Sequence, residues 1–472
     1  MSVLVPSSVT TKCTPHPRQR STSPAGGGLQ RVSHAGILLQ GRYRITHEAP
    51  LVDDGFSVIY RARDAETKIP VAVKIYRDDS PISFGKFCSS IEFLLTMRGR
   101  FNKMGRVDRE PNLKLILEEL HKHGDITSYA TAYTTLSQMN FRSVFVELLG
   151  YSRDELWNPK PDPETGLHFI IFELGKETLK DVLNGCLNNQ EKLAVQELRN
   201  IHWALVSIVC GLQSEGYVHL DIKPAGLMRY ELPDGYSTWK LMDLDGAALL
   251  SRKVRIHELS FSTDHAPPEL ARSYLQRQRD GGRISLTPTM NVWSAGMCAL
   301  EAALLLPVFE LKFPWFRSFR EEGGSDGRWL AALAGNGGRV RPDSILQGEL
   351  REDLDILSPE MCAFLEGMLN DEPSKRLCIS QCVVHRWLEP RRRALLDGSL
   401  APALDDLQLM PFSKESTPRN ADDRSGGHSE TTASPGSPTA TAISSPSWSR
   451  PDSPVSGRPS QASTASRSCA VM

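Results

Sequence analysis

The stretch from Tyr217 to Gly246 constrains this chain more than any other. It opens Tyr-Val-His-Leu-Asp-Ile-Lys-Pro-Ala-Gly-Leu-Met, passes a hairpin signal at Pro233-Asp234-Gly235, and closes Trp-Lys-Leu-Met-Asp-Leu-Asp-Gly. Asp221 and Asp243 stand at the ends of short apolar strands, and Lys223 follows the first by two residues. Carboxylates and a lysine so placed can serve phosphate chemistry.

Composition narrows the class. A length of 472 residues allows two or three domains, and 40% hydrophobic with 24% charged residues fits a soluble globular protein. The formal net charge of −1 gives no pull toward nucleic acid. Nine cysteines, odd in number and scattered, make neither a disulfide framework nor a zinc spacing, so free thiols in a reducing compartment are expected. The most apolar run, Val292 to Phe309, carries Glu301 and reads as a buried helix rather than a membrane span.

Ahead of the central stretch lie three strand patterns, Tyr43-Arg44-Ile45, Phe56 to Ala62, and Val71-Ala72-Val73-Lys74-Ile75-Tyr76. The first two are joined through Asp53-Asp54-Gly55, which by itself reads equally as a tight hairpin turn. Lys74 interrupts an apolar strand and needs a partner or an exit to solvent. Residues 97–140 look like an insertion with amphipathic helical pieces, one of them with Leu113, Leu115, Ile116, Leu117 and Leu120 as its apolar positions. Val144–Tyr151 and Leu167–Leu174 read as buried strands. A helix from Val195 carries the stripe Leu198, Ile201, Leu205, Ile208, Val209 and Leu212, and Gly216 suits its carboxy-terminal cap.

In this order the motifs resemble the eukaryotic protein kinase superfamily. His219-Leu220-Asp221 stands for His-Arg-Asp, Asp243-Leu244-Asp245 for Asp-Phe-Gly, and Val-Ala-Val-Lys for the strand lysine. Phe261 to Glu269 is similar to the end of an activation segment, and Met290 to Gly296 to the start of the large buried helix. Asn370 to Leu377 and His385-Arg386-Trp387-Leu388 match the closing motifs. The resemblance covers about residues 43–388, and its motifs in sequence are specific for the fold.

The resemblance implies an α+β, two-lobed architecture. A β-rich N-lobe would span about 43–173, with the insertion at about 97–140, and a helical C-lobe about 174–388. Disordered tails would flank it at 1–40, rich in Ser, Thr, Pro and Gly, and at 412–472, too poor in apolar residues to fold. ATP and Mg2+ are the implied cofactors, a protein hydroxyl the implied substrate, and nucleic acid is not an implied partner. Asp221 would orient the hydroxyl and accept its proton, and Lys223 would steady the transferring phosphate, with Ser262 contacting this pair. Lys74, Gly55, Ile59, Ala72, Glu173, Gly175 and Met228 would hold the nucleotide, and Asp243 the metal. Glu92 would pair with Lys74, with Glu118 and Glu119 as rivals, and Arg376 would pair with Glu269 as a structural brace.

Four departures oppose full activity. Gly226 replaces the loop asparagine that binds a second metal, Asp245 the glycine of the metal loop, and Asn291 an anchoring aspartate. The glycine-rich hairpin keeps only Gly55. Asp245 could turn toward the space left by Gly226 and supply a metal ligand, or be an exposed acid at the start of a loop. Two functions therefore stand side by side, an atypical Ser/Thr protein kinase and a pseudokinase serving as a binding or scaffold module.

The ends carry two further expectations. No acid precedes Glu48, while Lys12, Arg18, Arg20, Arg31, Arg42 and Arg44 add positive charge. Such an amino terminus reads as an ordinary tail, with an organelle transit peptide as the alternative. Cys469-Ala470-Val471-Met472 has the form of a farnesylation box, which would give a cytoplasmic protein weak, reversible membrane association.

Overall fold

The alternation of side chains along one strand sets the layout of the first half. The computed structural model describes residues 34–399, apart from short internal stretches and most of 308–357. In chain order come β1 (Leu38–Leu39), β2 (Tyr43–Ile45), β3 (Val52–Asp53), β4 (Ser57–Asp64), β5 (Pro70–Tyr76) and α1 (Pro81–Arg98). There follow β6 (Arg100–Asn102), β7 (Gly105–Val107), α2 (Leu113–Lys122), α3 (Ile126–Gln138), β8 (Leu148–Tyr151) and β9 (His168–Glu173). The main sheet is antiparallel, in the order β1-β2-β4-β5-β9-β8 with β3 on β4. Val71, Val73 and Ile75 join a cluster on one face with Val58, Tyr60 and Phe169. Ala72, Lys74 and Tyr76 point to the other face, where α1 packs. Phe87, Ser90, Ile91 and Leu94 form the buried side of α1, at the three-to-four-residue spacing of a helix face.

The second half is mainly helical. It runs β10 (Glu177–Thr178), α4 (Leu179–Asn189), α5 (Val195–Ser214), β11 (Tyr217–His219), β12 (Leu227–Glu231), β13 (Ser237–Leu241) and β14 (Ala247–Leu249). Then come β15 (Lys253–Arg255), α6 (Pro268–Arg277), β16 (Arg283–Ser285), α7 (Thr289–Leu304), α8 (Pro359–Met368) and α9 (Ile379–Val384). Helix α5 is buried almost throughout and stops where Gly216 takes a φ of +75°, a conformation that favours glycine. Glu301, the acid within the apolar run, is buried on α7 and paired with Lys180 at 2.8 Å. No described helix is long and apolar enough to cross a membrane, and the described cysteines are unbridged.

Arg376 is fully buried and makes a two-pronged contact with Glu269, at 2.7 and 3.0 Å. It also donates to the carbonyls of Thr289 and Asn370 at 2.8 and 2.9 Å. A buried guanidinium is tolerable only with its donors engaged in this way.

Two sequence expectations are corrected here. The helical part of the insertion belongs with the C-lobe rather than the N-lobe. The apolar stripe of α2 (Ile116, Leu117 and Leu120) is covered by α5 and α9, and Gln213 donates to the Leu115 carbonyl at 2.9 Å. The expected strand over Val144–Tyr151 shortens to β8. The backbone before it turns to β13 instead, with Leu241 N donating to Val144 O at 2.8 Å and Val146 N to Leu241 O at 3.1 Å.

Candidate functional site

The loop after β11 is fixed from below by Asn291 on α7. The His219 amide donates to Asn291 Oδ1 at 2.7 Å, and Asn291 Nδ2 donates to Tyr217 O at 3.3 Å. The His219 ring accepts from the Asp221 amide at Nδ1 (3.2 Å), so Nε2 carries the proton it donates to Asp243 O at 2.7 Å. Burial lowers the His219 pKa, in agreement with that neutral tautomer.

Asp221 is thereby held buried at the strand end, 8% exposed. Lys223 Nζ donates to Asp221 Oδ2 at 2.7 Å and to Ser262 Oγ at 3.2 Å, so the three residues singled out in sequence do meet. The other oxygen, Asp221 Oδ1, is buried without a hydrogen-bond partner among the described residues. Gly246 makes the close approach possible. A Cβ there would lie 3.0 Å from Asp221 Cβ and 3.1 Å from its amide nitrogen.

Lys74 reaches down from β5 into a pair of carboxylates. Its Nζ lies 3.0 Å from Asp243 Oδ1 and 2.9 Å from Asp245 Oδ2, with the residue only 3% exposed. Burial alone would lower the lysine's pKa, but the two carboxylates hold it well above the ordinary value. For Asp243 burial works upward, and the Lys74 ammonium overrides it to hold the carboxyl well below the usual range. Asp245 Oδ1 in turn accepts from Tyr76 OH and from Ser90 Oγ, both at 3.0 Å.

This geometry corrects the expected partner of Lys74. Glu92 is exposed on α1, two residues from Ser90 and therefore about 200° around the helix from it. Its charge acts on Cys88 and Tyr217 instead. Of the rivals, Glu118 is exposed and pairs with Lys114 on α2, and the Glu119 side chain lies outside the described residues. The expected metal role of Asp245 is corrected as well, because both its oxygens are turned to Lys74, Tyr76 and Ser90. Gly226 keeps room for a side chain, since a Cβ would sit 3.8 Å from Leu241 Cδ1 and 3.9 Å from Asp243 Cβ.

Beside this cluster opens a cleft of about 740 Å³, counting its open mouth. Ile59, Ala72, Lys74, Glu173, Gly175, Met228 and Asp243 all line it. A Cβ on Gly175 would fall 2.1 Å from Met228 Cγ, so that position must be glycine while Met228 packs there. The Glu173 carboxylate accepts from Lys240 at 2.6 Å and from the Glu147 amide at 2.8 Å. Gly55 and Cys469 lie outside the described residues. Asp53, one of the two hairpin acids, is paired with Arg77.

Sequence reasoning missed Tyr76 and Ser90 as partners and undervalued Asn291. A signal for the first two existed: Glu92 is the only acid in α1, and it is off the helix face that Phe87, Ile91 and Leu94 bury. For Asn291, the signal was that its Oδ1 can accept as a carboxylate does.

The family model for the protein kinase domain matches residues 112–388. The chain is 26% identical over 180 residues to the serine/threonine-protein kinase chk1 of Schizosaccharomyces pombe, covering 38% of this chain and 29% of that relative. It is 22% identical over 227 residues to the probable serine/threonine-protein kinase fhkA of Dictyostelium discoideum, covering 47% of this chain and 36% of that one. The matches thus span about a third of the length of these relatives.

Proposed function

The chain belongs to the protein kinase family, the match covering more than half of it, and from that premise we propose that it transfers the γ-phosphate of ATP to a Ser or Thr hydroxyl of a protein. The observation that carries this reading is the Asp221–Lys223–Ser262 constellation with Asp221 Oδ1 left over. A buried carboxylate oxygen without a partner is costly unless a ligand completes it. A substrate hydroxyl is that ligand. Asp221 orients it and takes its proton, and Lys223, already neutralising Oδ2, steadies the phosphate as charge moves. Lys74 holds the phosphates from the other side, and the cleft floored by Met228 takes the adenine.

The residues fit one magnesium ion. Among the described residues no three His, Cys, Asp or Glu side chains form a metal cage. Magnesium needs none, since it commonly takes one or two carboxylates and completes its shell with phosphate and water. Asp243 would hold it. When bound, the ion neutralises phosphate charge. A second ion would lack its ligand at Gly226, and that absence favours the pseudokinase as the second reading.

Purified full chain, incubated with labelled ATP, Mg2+ and a mixed protein substrate, decides between them. Turnover is expected, falling about 100-fold or more in Asp221→Asn. Phosphate incorporation equal in the two proteins overturns the proposal, and nucleotide binding without turnover establishes the second reading.

A further inference from the structure

We infer that Asp245 is the positioning residue that keeps Lys74 in place for the nucleotide, a duty for which helix α1 has no carboxylate available. The inference rests on the nucleotide-binding part of the reading above, not on turnover. Helix α1 contains one acid, Glu92, and presents it to solvent. Facing Lys74 and Asp245 from α1 is a hydroxyl, Ser90. Yet Lys74 is buried, and a buried ammonium needs countercharge and acceptors that persist.

Asp243 cannot be that persistent partner alone. It is the carboxylate open to the cleft, its side chain 22% exposed against 10% for Asp245, and the one placed to serve a cation. Asp245 lies deeper and is committed on both oxygens, one to Lys74 at 2.9 Å and the other to the Tyr76 and Ser90 hydroxyls at 3.0 Å. Tyr76 stands two residues after Lys74 on the same face of β5, and the Lys74 ammonium lies 5.3 Å from its ring centroid. Burial and the neighbouring Asp245 push the Tyr76 hydroxyl well above its ordinary pKa, so it stays a donor. Three elements therefore meet at one carboxylate: β5 through Lys74 and Tyr76, α1 through Ser90, and the loop after β13. Lys74 is pre-aimed from the loop, and α1 contributes only an uncharged contact.

The test moves the carboxylate. Affinity for trinitrophenyl-ATP is measured on the full chain, once in EDTA and once in excess Mg2+. Asp245→Asn, nearly isosteric, is expected to weaken binding roughly tenfold in both conditions, the size of a lost hydrogen bond between charged groups. Asp245→Gly should do the same, and Ser90→Glu added to it should recover most of the loss by placing the acid on α1. Glu92→Ala should bind as wild type. An effect of Asp245→Asn confined to Mg2+ would mark a metal ligand and overturn the inference. So would the absence of rescue by Ser90→Glu in a double variant with the melting temperature of wild type. A chain that binds nucleotide but never turns over passes this test unchanged, so the two readings fail separately.

Discussion

Below the cleft, Asp221 is carried by uncharged hydrogen bonds: Asn291 to the backbone of His219 and Tyr217, and a neutral His219 ring to the amide of Asp221 and the carbonyl of Asp243. Above it, Lys74 is carried by charge, between Asp243 and Asp245. Each region has lost an acid that the resemblance led one to expect, and each has absorbed the loss differently. Asn291 is a replacement in place, because the position needs an acceptor for an amide and an amide oxygen is one. On α1 no replacement in place exists, since Ser90 cannot balance a buried ammonium, and the countercharge comes from another element. A lost hydrogen bond can be remade by a neighbour in kind, whereas a lost charge has to be moved.

The contrast is sharpest at Asn291. Asn291→Ala would strand the buried His219 N–H and Tyr217 C=O together, at about 1–3 kcal/mol for each unpaired group. A loss of about 3 kcal/mol in urea unfolding is expected. Asn291→Asp keeps the acceptor for the His219 amide but removes the donor to Tyr217 O, so it should lose less than the alanine variant, about 1–2 kcal/mol. If the alanine variant were as stable as wild type, the neutral floor would not be what holds Asp221.

Acid should act at a second neutral histidine, buried between α5 and α7. His202 on α5 donates from Nε2 to Ala299 O on α7 at 3.2 Å, and its Nδ1 accepts from Trp387 Nε1 at 2.8 Å. Burial lowers its pKa from 6.5 to about 4, so the folded protein keeps the ring neutral where the unfolded chain protonates it. The unfolded state binds more protons between those values, so stability is intact above pH 6.5 and declines as pH falls toward 4. At pH 5 the loss is about 2 kcal/mol. Unfolding free energies of wild type and His202→Gln, compared at pH 7 and pH 5, should show the shallower dependence in the variant. Parallel curves would remove His202 from the account.

The residues also show what could be read in advance. Asp221, Lys223, Lys74 and Asp243 were legible because each sits in a short motif at a strand end or on a strand face of period two, and Ser262 through the family resemblance. The Arg376–Glu269 pair was legible only through the family resemblance, which places the two in its closing and activation-segment motifs. Glu92 misled because distance along the chain was followed without asking which helix face the residue occupies. A two-residue offset carries it to the opposite side. Asp245 misled because an acid near a missing metal ligand looks like a substitute for it, and only the position of Tyr76 and Ser90 gives it another use. The docking of α2 on α5 and α9 was beyond sequence reading. Its apolar stripe announces that something covers it, not which helix does.

Gly226 offers the finest test of the contrast, because there the loss has been neither replaced nor moved. A Cβ would meet its nearest neighbours at 3.8 and 3.9 Å, ordinary contact distances, so glycine is not enforced by crowding. Its φ is not among the positive values that favour glycine either. Gly226→Asn should therefore be accommodated, with an unfolding midpoint near that of wild type, and should set an amide oxygen beside Asp243. Magnesium dependence of nucleotide binding, titrated from EDTA-stripped protein, is expected to shift about threefold toward lower metal concentration, ~0.7 kcal/mol. An unshifted titration in a folded variant would mean that one carboxylate and the nucleotide phosphates already complete the metal shell. Asp243 would then work with Gly226 as it stands, and the loss of the asparagine would be no argument for the pseudokinase.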